Sequence, residues 1–129
     1  MIDHIGLAVS NHARSRAFYV QTLAPLGFVA VMDLTREQTG GYAGTGFGPP
    51  GRPHFWIGNG EAQDGRMHVA FTANSRAAVE AFHAAALAAG GRDNGAPGLR
   101  PHYHAHYYGA FVLDPDGHNI EAVCHSPEA

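Results

Sequence analysis

The feature that most constrains this chain is that it reads as one unit written twice. Sliding the sequence along itself by 64 residues, without a gap, pairs His4 with His68, Ala13 with Ala77, Ala17 with Ala81 and Phe18 with Phe82. Ile5 and Val69 match in character, as do Leu7 and Phe71, and the helix-stopping glycines Gly27 and Gly91 fall in register. In a chain of 129 residues this is what a duplicated supersecondary unit leaves behind, because each half alone has an apolar sheet face it cannot bury. Chance likeness between two generic strand-helix pieces is the competing explanation. The length admits one compact domain, or two tightly packed halves sharing a core, and no second independent domain. The expected division is a first module over 1–60 and a second over 61–129, together one domain.

The local pattern gives each unit the order βαβββ. Ile2 to Val9 alternates like a strand, Ser10 or Asn11 offers a helix cap, and a helix from about Asn11 to Ala24 is stopped by Pro25 and Gly27. Phe28 to Leu34, Tyr42 to Phe47 and His54 to Gly58 read as strands, followed by a turn-rich stretch from Asn59 to Gly65. The second unit restarts with a strand from Arg66 to Thr72, then a helix capped by Asn74 or Ser75 and ended by Gly90 and Gly91. On that helix Val79, Phe82, His83, Ala86 and Leu87 form one apolar stripe. Asp93 to Pro101, rich in Gly, Pro and Asn, reads as a loop with at most one short strand. Tyr107 to Leu113 and His118 to Val123 are strands joined by the turn Asp114-Pro115-Asp116-Gly117, where proline presets φ and glycine takes the positive value.

Composition removes several functions. All eight basic residues are arginine, so lysine Schiff-base chemistry and phosphate-loop lysines are excluded. A net charge of −3 with dispersed arginines gives no basic stripe for nucleic acid or an anionic membrane, which leaves small molecules as expected partners. The one cysteine, Cys124, cannot form an internal disulfide and reads as a buried thiol. With no signal-like or membrane-spanning apolar run at the N-terminus or beyond, the expected location is the cytoplasm.

The candidate chemistry lies in His4, His68 and Glu121. The two histidines occupy equivalent places on the first strands of the two units, and Glu121 stands on the last strand after the turn. Two imidazoles and one carboxylate form a facial set suited to a divalent metal, Mn, Fe, Zn, Ni or Co, with open positions. Two adjacent substrate oxygens can take those positions, so that a carbonyl is polarised or an enolate stabilised.

The segments IDHIGLAVSNHARSRAFY, MHVAFTANSRAAVEAFHAAALAAGG and YYGAFVLDPDGHNIEAV resemble the glyoxalase, bleomycin-resistance and extradiol-dioxygenase superfamily, also called vicinal oxygen chelate, over nearly the whole chain. The resemblance implies an α+β fold, with two tandem βαβββ modules forming a curved mixed eight-stranded sheet around a metal cleft. It also implies a homodimer in which modules are exchanged or shared. His4, His68 and Glu121 fall on three of the usual ligand positions. Many glyoxalases use a fourth ligand in the first module, where this chain offers Phe55 by one alignment and Ile57 by another; His54 would enter only if the register were off by one. A three-ligand site is therefore expected, unlike an orthodox lactoylglutathione lyase. The extradiol signature asks for a histidine, a tyrosine and the glutamate. His104 or His102 fits the first position, but Phe111 stands in place of the tyrosine and Ala110 replaces a larger residue, with Tyr107 on the same strand face as a substitute.

The tract from His102 to Tyr108 suggests a base and phenols beside the metal, with His104 and Tyr107 as the expected catalytic pair. Trp56, Tyr108 and Arg100 are the expected substrate-pocket residues, Phe55 a core residue, and Phe47 and Tyr42 either pocket or core. His12, His118 and His125 are expected to face solvent and His83 to be packed. The leading reading is a metalloenzyme, a glyoxalase-like lyase or isomerase or an extradiol-type dioxygenase. The alternative is a resistance protein of the same fold, sequestering an antibiotic without metal or adding a thiol to fosfomycin. Arg100 is the only cation near the second-module loop, where the fosfomycin reading needs several.

Overall fold

A computed structural model describes residues 1–60 and 65–127 of the chain. The expected turn-rich link over 59–65, with the boundary between modules, lies partly outside the described residues. The first unit consists of β1 (Ile5–Ala8), α1 (His12–Leu23), a 3-10 turn (Ala24–Leu26), β2 (Val29–Leu34), α2 (Arg36–Thr39), β3 (Gly44–Gly48) and β4 (Phe55–Gly58). The second has β5 (His68–Thr72), α3 (Arg76–Ala88), β6 (Arg92–Leu99), β7 (Tyr108–Leu113) and β8 (Asn119–Cys124). Each unit builds its own four-stranded sheet, in the orders β1-β4-β3-β2 and β5-β8-β7-β6. The same βαβββ module thus occurs twice, and the eight strands are divided between two mixed sheets instead of running on as one.

Local chemistry explains the helix limits. The Asn11 side chain accepts from the Arg14 amide at 3.0 Å to start α1, and Ser75 does the same for Ala78 at 3.0 Å to start α3. Gly27, at φ +82°, ends the turn after α1. The short α2 was not expected, although Thr35 and Gln38 form a complete capping box and so carried its signal.

The expected loop over Asp93 to Pro101 is instead largely strand β6. It pairs antiparallel with β7, with irregularities between Asp93 and Gly95 and between Gly95 and Gly98. An edge strand needs hydrogen bonds on one side only, so Pro97 and the glycines are absorbed there as bulges.

The two long helices, α1 and α3, pack against the sheets, and one core runs through both modules. The ring of Phe55 on β4 meets that of Phe71 on β5 edge-on at 5.2 Å, joining the two sheets. On α3 the stripe buries Val79, Phe82 and Ala86, whereas Leu87 lies at its margin, 40% exposed. Among the described residues no helix is long and apolar enough to cross a membrane.

Candidate metal centre

Alternation along a strand sends neighbouring side chains to opposite faces, and the helix-covered core fixes which face is which. On β8, Ile120, Ala122 and Cys124 are buried in the core. Glu121 therefore projects from the other, open face, where β7 places Phe111 directly opposite it. On β5 the same alternation turns Phe71 inward and His68 outward.

The result is a compact polar group. His68 Nε2 lies 2.9 Å from Glu121 Oε1, with the imidazole 53% exposed and the carboxylate only 2% exposed. The Tyr107 phenol donates to the other carboxylate oxygen. Burial first, and then this bond to Glu121, raises Tyr107 well above the ordinary tyrosine range. Gly109 makes the meeting possible: a Cβ there would stand 3.1 Å from the Tyr107 ring and 3.3 Å from Glu121 Oε2. Tyr107 thus brings a phenol to the glutamate that Phe111, at the register position, lacks.

The His68 and Glu121 pair passes a simple test of fit. Two ligands about 2.1 Å from one ion and at right angles to each other are about 3 Å apart. The His68 to Glu121 separation of 2.9 Å has that value.

His4 belongs to a different place. Its side chain is 59% exposed, and Nδ1 stands 2.7 Å from Asp3 Oδ1. The carboxylate can only accept, so Nδ1 carries a proton, which in the neutral ring leaves the lone pair on Nε2, the tautomer a metal ligand needs. The bond to His4 in turn holds the Asp3 carboxyl below its usual range. His4 lines an open cavity of about 700 Å³ together with Asp3, Arg52, His54 and Trp56. Among the described residues no three His, Cys, Asp or Glu side chains gather as a metal-holding group. Within one chain, then, His68 and Glu121 come together and His4 does not join them.

The strand register identifies the first-module counterpart of Glu121. Gly6 pairs with Trp56 as Ala70 pairs with Glu121, so Trp56 stands at that position, between the Phe55 and Ile57 that alignment offered. Phe55 and Ile57 are core residues at 1% and 0% exposure. His54 shares the Trp56 face, and its Nδ1 donates to the Asp3 carbonyl at 3.0 Å. The Trp56 ring lies against Gly46, where a Cβ would approach its atoms to 2.8 Å, and the Tyr42 ring lies over Gly44 and Gly58. Phe47 is fully buried in the core.

The remaining expected site residues divide between two faces. Arg100 is on the Glu121 face, its amide donating to the Tyr107 carbonyl at 2.7 Å and its guanidinium carbon 5.5 Å from the Phe111 ring centre. Tyr108 is on the opposite, helix-packed face, donating to Glu80 Oε2 at 2.6 Å under Arg76. His104 Nδ1 accepts from the His106 amide, so its Nε2 donates to His125 Nδ1 at 2.7 Å. The His104 and His125 rings both pack against the Tyr107 ring, at 5.5 and 5.4 Å. The His102 ring instead packs against Tyr103 at 4.2 Å.

The other histidines correct two expectations. His118 is 4% exposed, because its Nδ1 accepts the Met67 amide at 2.9 Å across the β5 and β8 ends. His12 is half-buried, held by Thr45 Oγ1 at 2.8 Å. His83 is packed as expected, its side chain 13% exposed and paired with Asp93. Sequence reasoning passed over Asp3 and Gly109. The first had a usable signal, a carboxylate adjacent to a candidate ligand, while the second becomes visible only once Tyr107 and Glu121 are known to meet.

The sequence matches the family model described as Glyoxalase/Bleomycin resistance protein/Dioxygenase superfamily over residues 1–122. Among solved structures, a glyoxalase/bleomycin resistance protein from Albidiferax ferrireducens is 26% identical, with a TM-score of 0.72 over 96% of this chain and 98% of that one. A glyoxalase/bleomycin resistance protein/dioxygenase family enzyme from Burkholderia phytofirmans is 18% identical, with a TM-score of 0.69 over 97% and 98% of the two chains. A glyoxalase I mutant from Zea mays is 20% identical, with a TM-score of 0.68 over 95% of this chain and 46% of that one. No curated protein matches the chain.

Proposed function

Because the chain belongs to the glyoxalase, bleomycin resistance protein and dioxygenase superfamily, we propose that it is a metal-dependent enzyme, a lyase or isomerase or an extradiol-type dioxygenase, acting on a small substrate with two adjacent oxygens. The observation that carries this reading is the His68 and Glu121 pair, spaced at 2.9 Å on the open face of the second module. His4, on the open face of the first module, supplies the third ligand from the partner in a homodimer. A divalent ion held by these three supplies Lewis acidity to the substrate oxygens.

The chain's own residues prepare that site. Asp3 fixes the tautomer of His4, Tyr107 orients the Glu121 carboxylate, and Trp56 and Tyr42 pave the facing sheet. His104, hydrogen-bonded to His125 through Nε2 and in ring contact with Tyr107, is the candidate base once its Nδ1 is released from the His106 amide. The aromatic floor also supports a second reading, a metal-free binding protein for a flat drug.

Subunit mixing tests the proposal. His4→Ala and Glu121→Ala chains should each lose bound metal, and refolded together in equal amounts should regain roughly a quarter of the wild-type sites, those of the mixed dimers. No recovery would place all ligands within one chain. A wild-type protein that binds none of Fe, Mn, Zn, Ni or Co would leave the drug-binding reading.

A further inference from the structure

Among the described residues, Arg100 on the second-module face hydrogen-bonds only to neutral groups. Arg100 donates from one terminal nitrogen to the Gly98 carbonyl at 2.9 Å and from the other to the Ala96 carbonyl at 2.7 Å. These bonds use two of the five N–H donors of a guanidinium and fix its plane. No carboxylate among the described residues forms an ion pair with it. By contrast Arg16 is held by Asp33 at 2.8 Å and Arg14 approaches Asp116 at 4.0 Å.

The position of this free cation is specific. Arg100 pairs with Tyr107 across the β6–β7 end, which puts its side chain on the Glu121 face. The Phe111 ring neighbours both the guanidinium, at 5.5 Å, and the His68 ring, at 6.2 Å. Gly95 and Gly98 leave the room: a Cβ at Gly95 would lie 2.9 Å from Phe111 and 3.3 Å from Arg100, and one at Gly98 3.1 Å from Arg100. The two glycines of the bulged strand therefore seat the cation and the ring together.

From this arrangement we infer that the substrate is a monocarboxylate, its carboxylate bound by Arg100 and its apolar body lying along Phe111 toward His68 and Glu121. A guanidinium edge matches a carboxylate in two parallel hydrogen bonds. One cation beside Phe111 matches one negative charge, and no lysine in the chain can add a second there. The inference rests on the reading that His68 and Glu121 face the substrate, but the anion site needs no metal.

The test is calorimetric titration of the metal-free protein with benzoate, benzamide and inorganic phosphate. Benzoate should bind about tenfold or more tightly than benzamide, the worth of a charge-assisted hydrogen-bonded pair. Arg100→Gln should abolish that preference, and Arg100→Lys should retain part of it. Equal binding of benzoate and benzamide by the wild type, or a preference that survives Arg100→Gln, would overturn the proposal. Phosphate binding tighter than benzoate would overturn the choice of a carboxylate. A wild type that binds no metal, or mixed subunits that recover none, would leave this result untouched, so the two readings fail separately.

Discussion

The phenol of Tyr107 and the carboxylate of Glu121 are hydrogen-bonded on the open face of the second sheet, although fourteen residues separate them in the chain. Glu121 is nearly buried, and its two oxygens are shared between Tyr107 and His68. Removing the phenol in Tyr107→Phe leaves one oxygen of a buried carboxylate without its donor, which costs about 1–3 kcal/mol. Thermal unfolding should fall by several degrees, and metal affinity should weaken because the carboxylate is no longer oriented. A variant with wild-type stability and wild-type metal affinity would show that the phenol does not position Glu121.

Alkaline pH gives a second test. Tyr107 and the buried Tyr19 are both raised, chiefly by burial and then by the neighbouring carboxylates Glu121 and Asp114. Below about pH 10 both phenols are protonated whether the chain is folded or not, so their contribution to stability is complete there. Above that value the unfolded chain ionises and the folded chain resists, so stability should fall as pH rises toward the folded-state values. Phenolate absorbance of the native protein should lag behind that of the denatured chain. Native tyrosines that all ionise at about pH 10 would contradict this.

The floor of the first-module face depends on a missing side chain. Trp56, the only tryptophan of the chain, rests against Gly46, and a Cβ at that glycine would come within 2.8 Å of the indole and of Pro53. Such contacts force the ring to move. Gly46→Ala should therefore alter Trp56 emission and make it easier to quench, with little change in the second module. Unchanged quenching would show that the ring is not seated there.

The duplicated unit was legible because it repeats chemistry that the fold needs twice: a strand histidine, a capped helix and a glycine stop. His68 was legible as the repeat of His4, and Glu121 from its place on the strand after the Asp114-Pro115-Asp116-Gly117 turn. The counterpart of Glu121 was not, since the turn before β4 shifts the alignment by one residue, and one residue in a strand exchanges the faces. Hence alignment offered the core residues Phe55 and Ile57, while Trp56 occupies the open face. β6 was hidden because edge pairing tolerates Gly and Pro, the residues that otherwise mark loops. His118 was misplaced because its partner, the Met67 amide, is 51 residues away and leaves no local trace.

The bond from the Tyr19 hydroxyl to Asp114 Oδ2, at 2.5 Å, ties the helix of the first module to the turn of the second. Both groups are buried, and the other oxygen of Asp114 accepts the amides of Asp116 and His118 at 2.9 Å, so the same carboxylate shapes the turn that precedes Glu121. Tyr19→Phe keeps the ring contacts with Phe18 at 4.9 Å and Phe55 at 5.1 Å and removes only the hydroxyl. The expected loss is about 1–3 kcal/mol, the cost of a buried acceptor left short of a donor, or roughly 3–10 °C in Tm for a domain of this size. Because one core spans both modules, the variant should still unfold in a single transition, with a lower denaturant midpoint and an unchanged slope. A biphasic transition would show that this bond, more than the shared Phe55 and Phe71 contact, makes the two modules unfold as one.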